Sequence, residues 1–322
     1  MTLFTLDQLE AAHALVQTRM APTAQHRWPL LCERLGTEIW VKHENHTPTG
    51  AFKVRGGITY IDDLAGTDCP GIITATRGNH GQSIPFAAGP HGIPVTVYVP
   101  EGNSTEKNAA MRAWGAELVV HGADFEESRQ ECAGRAKAEG LHMIPPFHPM
   151  LVRGVATYAL EFFRGAPDLD VVYVPIGMGS GICGLITARD LLGLKTRIVG
   201  VVSEGADAYA LSFEAGRVVE TNRAHTFADG MACRSPAPEP LEVILKGAYN
   251  VARVSDDEVA AAIRAYYTDT HNVAEGAGAA PLAAAIQDRD ANLGKRVGVI
   301  LCGGNIDTNW FAEVLNGGTP RP

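Results

Sequence analysis

Four short segments of this chain carry residues whose types and spacing suit one kind of chemistry. They are, in chain order, residues 47–57 (TPTGAFKVRGG), 76–82 (TRGNHGQ), 177–181 (GMGSG) and 302–305 (CGGN). A lysine amine can form an imine with an aldehyde, a glycine-rich turn before a helix can hold an anion, and a small polar residue at a strand end can meet a ring nitrogen. Together these properties are what an enzyme needs to hold pyridoxal phosphate.

Lys53 is predicted to lie in the first turn of a helix, because Thr49 and Gly50 suit a loop that runs into one. An amine near a helix N-terminus with an apolar neighbour, here Phe52, loses its proton more readily than an exposed one. The neutral amine is the form that attacks a carbonyl. A lone lysine is more often exposed with its stem on the core, but the sequence context of Lys53 favours a functional role.

The glycine-rich run follows a predicted strand, Asp170–Pro175, and precedes a helical stretch that begins at Ile182. Its backbone amides can converge on an anion, and glycine allows a close approach. The run is therefore predicted to hold the phosphate through Gly177, Met178, Gly179, Ser180 and Gly181. A dinucleotide site is the alternative, but the next strand ends in Val201-Val202-Ser203 instead of the acidic residue that binds a ribose.

The turn at residues 76–80 follows the predicted strand Gly71–Ala75, at the edge where α/β proteins form ligand sites. Asn79 is predicted to bond the phenolic oxygen of the cofactor. The backbone amides of the turn are predicted to hold a substrate carboxylate. The residues assigned to the substrate are Thr76, Arg77, Gly78, Asn79 and His80. A purely local role for the His80 side chain, bonding nearby backbone, stays open.

Cys302 ends an apolar run and precedes two glycines. A thiol is a weak hydrogen-bond partner, so it would not enforce protonation of a pyridine nitrogen as a carboxylate would. The resulting electron sink is moderate and favours rapid elimination over transamination. A buried structural cysteine is the alternative, and it is our interpretation of the other five cysteines, at 32, 69, 132, 183 and 233.

Composition places the chain among soluble globular enzymes, with 46% hydrophobic and 20% charged residues. The formal net charge of -9 argues against nonspecific nucleic-acid binding, and no apolar run is long enough to span a membrane. The N-terminus lacks the basic and apolar stretches of a signal peptide, and no two cysteines form a C-x-x-C pair. We therefore expect a cytoplasmic protein with neither disulfides nor a zinc site.

Apolar runs that alternate with helical stretches predict an α/β fold with open, mostly parallel sheets. Ser255 and Glu258 form a predicted capping box before a helix. The predicted domains are a large lobe, 1–68 with 147–322, and a smaller inserted lobe, 69–146. The predicted strands are Glu38–Val41, Gly71–Ala75, Pro94–Val99, Glu117–Val120, Asp170–Pro175, Arg197–Val202 and Arg296–Leu301.

Taken together, the four segments resemble the fold-type II pyridoxal-phosphate family, in its threonine dehydratase, serine racemase and serine dehydratase branch. Residues 42–45, 228–232 and 273–280 match as well. The resemblance implies that Lys53 is the imine lysine, with Phe52 packed beside it. It further implies that Asn79 bonds the ring oxygen, that residues 177–181 surround the phosphate, that Glu275 lies near the ring and that Cys302 faces the pyridine nitrogen.

Three departures from the family pattern bear on function. Arg77 stands where the family has a small residue, which in racemases is the serine that protonates the second face; a guanidinium cannot act as that acid. Val202 stands where the family has a glutamate ligand of a divalent cation, so no metal is predicted, although Asp207 remains. Met178 and Ser180 replace two of four consecutive glycines.

The resemblance implies a dehydratase that converts a β-hydroxy amino acid to a 2-oxo acid and ammonia. Threonine, serine, phenylserine and 3-hydroxyaspartate are the candidate substrates, and a homodimer is the expected assembly. A racemase or β-replacement lyase on the same fold is the alternative enzyme. A cofactor-binding sensor without catalysis is the alternative outside enzymology.

Overall fold

The computed structural model describes residues 3–321, which form an α/β fold with two sheets, one of six strands and one of four. The strands are Gln25–Arg27 (β1), Glu38–His43 (β2), Ile72–Ala75 (β3), Val95–Val99 (β4), Glu117–Val120 (β5), His142–Met143 (β6), Val171–Pro175 (β7), Arg197–Ser203 (β8), Asn250–Val254 (β9) and Arg296–Leu301 (β10). The helices are Leu6–Gln17 (α1), Pro29–Leu35 (α2), Lys53–Ala65 (α3), Asn79–Ala88 (α4), Thr105–Ala113 (α5), Phe125–Glu139 (α6), Pro149–Gly165 (α7), Ser180–Leu191 (α8), Ala208–Ala215 (α9), Pro238–Gly247 (α10), Asp256–Thr270 (α11), Gly276–Gln287 (α12) and Thr308–Leu315 (α13).

The larger sheet has six strands in the order β1-β2-β10-β7-β8-β9. Every neighbouring pair is parallel except β1 with β2. The central strands are apolar and buried, as in residues 297–301 of β10, because helices cover both faces. This arrangement brings the carboxyl ends of β2, β10 and β7 side by side at one edge.

The smaller sheet has four parallel strands in the order β5-β4-β3-β6. Its apolar core includes Ile72 and Val97 from the strands, together with Val54, Ile58 and Ile61 from α3. Helix α3 precedes residue 69 in the sequence, so the core of the smaller sheet draws on both predicted lobes. The lobe boundaries at 69 and 146 stay a prediction.

The predicted α/β class and the seven predicted strands are confirmed, with ends that differ by at most two residues. Three strands were not predicted from the sequence, because they lack a continuous apolar run. β1 reads QHR, β6 has two residues and β9 alternates as NVARV. The capping box of Ser255 and Glu258 is confirmed. Within residues 3–321, no helix is both long and apolar enough to cross a membrane.

Candidate active site

Backbone pairing joins the segment that carries Lys53 to the segment that carries Cys302. β2 and β10 are parallel neighbours, so the chain leaves both strands at the same edge of the sheet. Beyond that edge Phe52 N donates to Cys302 O at 2.9 Å, Gly304 N donates to Gly50 O at 2.9 Å, and Ala51 forms a β-bridge with Gly303. The two segments therefore form one wall of the site.

Lys53 is the first residue of α3, as predicted. Its Nζ donates to Ser180 Oγ at 3.3 Å and lies 5.2 Å from the centre of the Phe52 ring. Burial lowers the pKa of Lys53 to about 8, against the opposing effect of Cys302 and Glu275. A substantial fraction of this amine is therefore neutral near physiological pH, which is the state a nucleophile or base requires.

The glycine-rich run forms an uncapped helix start. Helix α8 begins at Ser180, two residues before the predicted Ile182, and no side chain caps its first turn. Gly179 precedes it with φ 94°, a left-handed conformation that favours glycine. A Cβ on Gly177 would collide with the carbonyl oxygen of Gly230. The first-turn amides of α8 are thus open to an anion, as a phosphate cradle requires.

The predicted residues Asn79 and Glu275 meet, although they are 196 positions apart in the sequence. Asn79 Nδ2 donates to Glu275 Oε1 at 2.8 Å, and Asn79 Oδ1 accepts from Asn305 Nδ2 at 2.8 Å. Asn305 also donates to the carbonyl oxygen of Thr49 at 2.9 Å. Sequence analysis missed the role of Asn305 in holding Asn79, although it ends the CGGN segment that was singled out.

Two buried atoms at the site have no hydrogen-bond partner within residues 3–321: Glu275 Oε2 and His80 Nε2. Burial raises the pKa of Glu275 to about 7. Burial, reinforced by Lys53, lowers the pKa of His80 to about 3, so its imidazole is neutral. Buried polar atoms without partners are uncommon in folded proteins. Their presence beside Lys53 is what a site built for a polar ligand requires.

An ion pair that sequence analysis missed lies next to the turn at residues 76–80. Lys107 of α5 donates to Asp229, and a Cβ on Gly78 would lie 3.9 Å from Lys107 Nζ and 4.0 Å from Asp229 Oδ2. Burial opposes the charge of Lys107, but Asp229 and Glu275 outweigh it and raise its pKa. Asp229 belongs to the segment 228–232 noted above, whereas nothing in the sequence around Lys107 distinguished it.

The remaining predicted residues differ in their exposure. Thr76 is buried, and its Oγ1 accepts from Gly78 N at 3.2 Å, which stabilises the turn. Arg77 is exposed and makes no ion pair within residues 3–321. Cys302 is buried, and burial raises its pKa well above the usual value, so it is a neutral thiol. Val202 is buried in β8.

Comparison with known proteins agrees with this geometry. The sequence profile of the family described as "Pyridoxal-phosphate dependent enzyme" matches residues 16–303. The L-threonine ammonia-lyase of Geobacter sulfurreducens is 35% identical over 288 residues, which cover 89% of this chain and 72% of the relative. The chain belongs to the family of pyridoxal-phosphate dependent enzymes. The prediction of this family and of its cofactor is confirmed.

Solved structures of other proteins superpose closely on this fold. The processed form of threonine deaminase isoform 2 from Solanum lycopersicum superposes with a TM-score of 0.89 at 26% identity, covering 98% of this chain and 95% of that one. Maize serine racemase superposes with a TM-score of 0.89 at 25% identity, covering 95% and 94%. The predicted fold-type II architecture is therefore confirmed.

Proposed function

We propose that this chain is a dehydratase that eliminates water from a β-hydroxy amino acid. Hydrolysis of the resulting enamine then consumes one water and releases a 2-oxo acid and ammonia. The predicted reaction class agrees with the L-threonine ammonia-lyase that is 35% identical over most of the chain. The observation that carries the proposal is a partly buried lysine, with a pKa lowered to about 8, beside an uncapped helix start. An amine and an anion cradle in this arrangement fit the two ends of pyridoxal phosphate.

The predicted site segments have separate roles in this proposal. Pyridoxal phosphate, when bound, withdraws electrons from the Cα of an attached amino acid. Lys53 would bind the cofactor covalently and would take up the Cα proton on Nζ. The amides of residues 177–181 would bind the phosphate. The turn at residues 76–80 would bind the substrate carboxylate, and Asn79, oriented by Asn305, would hydrogen-bond the ring oxygen.

The electrostatics of the site support elimination over transamination. Cys302 is a neutral thiol and cannot impose a positive charge on the pyridine nitrogen. A guanidinium is not a general acid, so Arg77 does not supply the second acid of a racemase. The small amino-acid substrate agrees with the family, whereas a homodimer and a cytoplasmic location stay predictions.

A panel of β-hydroxy amino acids tests the proposal. Serine, threonine, 3-hydroxyaspartate and phenylserine, in each stereochemistry, are incubated with the holoenzyme, and 2-oxo acid, ammonia and D-amino acid are measured. We expect equal amounts of 2-oxo acid and ammonia from at least one of them. A D-amino acid without 2-oxo acid would indicate a racemase. A bound cofactor with no turnover of any substrate would indicate a sensor.

The Arg77→Ser variant, measured on the same panel, tests what selects the substrate. A guanidinium can bind a second carboxylate through two hydrogen bonds, and Arg77 is exposed. If 3-hydroxyaspartate is the best substrate, the variant raises its KM roughly 10-fold or more and leaves that of serine within about twofold. Unchanged KM values for all four substrates would remove Arg77 from the substrate site.

The pH dependence of cofactor capture is a second expected result. Only the neutral Lys53 amine reacts, so capture of pyridoxal phosphate by cofactor-stripped protein should accelerate as pH rises and level off above about 8. Free Nα-acetyl-lysine is the control, and its rate should keep rising toward its ordinary pKa of about 10.4. Stopped-flow visible absorption measures both. A protein curve that follows the free amine would show that burial does not lower the pKa of Lys53.

A further inference from the structure

Ser180 differs from the rest of the glycine-rich run because its side chain reaches the proposed base. Its Oγ accepts the hydrogen bond from Lys53 Nζ at 3.3 Å, across a separation of 127 residues in the sequence. Ser180 is 3% exposed and begins α8. The start of the helix therefore holds this hydroxyl in a fixed place, whereas a glycine there would leave the amine without the contact.

The stem of Lys53 needs such a contact to be held in one orientation. A lysine side chain has a flexible four-carbon stem, and its ammonium group has three N–H donors. Burial alone therefore does not fix the direction in which the nitrogen points. The Phe52 ring, 5.2 Å from Nζ, attracts the ammonium form but provides no directional acceptor. The Ser180 hydroxyl is a directional acceptor, and it belongs to the glycine-rich run instead of the segment that carries Lys53.

The same hydroxyl can face the anion cradle. When Ser180 Oγ accepts from Lys53, its own O–H stays available as a donor. Within residues 3–321, the bond from Lys53 is the only hydrogen bond of this side chain. The hydroxyl lies at the start of α8, where no side chain caps the N–H groups of the first turn. One side chain thus contacts the amine and stands beside the site for an anion.

We propose that Ser180 is a positioning residue for Lys53: its hydroxyl aims the amine at the reacting carbon whenever that amine is not covalently bound. This inference rests on the proposed function. A charged N–H donates a stronger hydrogen bond than a neutral one, so removal of the hydroxyl has two consequences. The protonated form of Lys53 loses stabilisation, and the neutral amine loses its orientation.

The test compares Ser180→Ala, Ser180→Gly and Ser180→Thr with the parent protein. Capture of pyridoxal phosphate by cofactor-stripped protein, with its circular dichroism unchanged, is followed against pH. In the Ala and Gly variants we expect the midpoint to fall by about one pH unit and the plateau rate to fall roughly 10-fold. Turnover should lose kcat by a similar factor, with KM within about twofold. Ser180→Thr, which keeps the hydroxyl, should restore both.

Thr187→Val is the matched control. Thr187 is buried on the same helix, and its hydroxyl donates to Cys183 O at 2.8 Å without contacting Lys53. It should leave the midpoint and the plateau of capture unchanged. The inference is overturned if Ser180→Ala and Ser180→Gly capture the cofactor as the parent does, or if Thr187→Val shifts the midpoint as much as they do.

The two readouts separate this inference from the proposed function. A shifted capture curve in a protein that turns over no β-hydroxy amino acid would support the role of Ser180 and refute the dehydratase. Dehydratase turnover with an unshifted capture curve in both hydroxyl-free variants would refute the role of Ser180 and support the dehydratase.

Discussion

Replacement of Lys53 by alanine is expected to abolish turnover while the protein stays folded. Lys53 is the only residue that the proposal uses both to bind the cofactor covalently and to remove the Cα proton. Loss of an essential base commonly costs about 10²–10⁴-fold in rate, and the loss of covalent binding adds to it. The measurement is 2-oxo acid formation from the best substrate of the panel, together with the visible absorption of bound cofactor.

Lys295 supplies the control for this prediction. It lies just before β10 at the amino end of that strand, whereas Lys53 lies at the opposite edge of the sheet. Lys295→Ala should therefore retain full turnover and the visible absorption of the parent. Turnover of Lys53→Ala within tenfold of the parent would mean that another group performs the base chemistry, and the assignment of the site would be wrong.

Replacement of Arg55 is expected to have the largest effect on stability. Arg55 is fully buried two residues after Lys53. Its guanidinium bonds Glu44 at 2.7 Å and Glu161 at 2.8 Å, and Lys42 bonds Glu161 at 2.7 Å. These ion pairs raise the pKa of Arg55 against its burial. Arg55→Leu leaves the Glu44 carboxylate buried without its cation, which should lower the free energy of unfolding by about 3–5 kcal/mol.

Two further variants make this prediction specific. Arg55→Leu combined with Glu44→Leu removes both charges, so it should recover part of the lost stability, because an apolar pair costs less than a stranded charge. Arg129→Ala breaks an exposed pair with Glu126 on α6 and should change stability by about 0.5 kcal/mol or less. Urea denaturation measures all three. An Arg55→Leu variant as stable as Arg129→Ala would show that the buried ion pairs do not stabilise the fold.

The position of Lys53 could be predicted because local rules decide it. A Pro/Thr/Gly turn precedes Lys53 in the sequence, and a helix begins shortly after such a turn. The strands of the sheet interiors were predicted for a similarly local reason, since a buried parallel strand needs an unbroken apolar run. β1 and β6 could not be predicted from their own composition, because it does not favour a strand. Their pairing with β2 and β3 stabilises them instead.

The contacts within the site depend on the tertiary structure. Asn79 meets Glu275, and Lys107 meets Asp229, across separations of 196 and 122 residues. Side chains so far apart in sequence become neighbours only when strand order brings the ends of their segments to one edge, and no local pattern encodes that order. Short motifs in the sequence predicted the cofactor, which is confirmed. They also predicted the imine lysine and the anion cradle, and these two assignments stay predictions. Only the folded chain decided that Ser180 contacts Lys53 and that Asn305 holds Asn79, because hydrogen bonds require atoms about 3 Å apart.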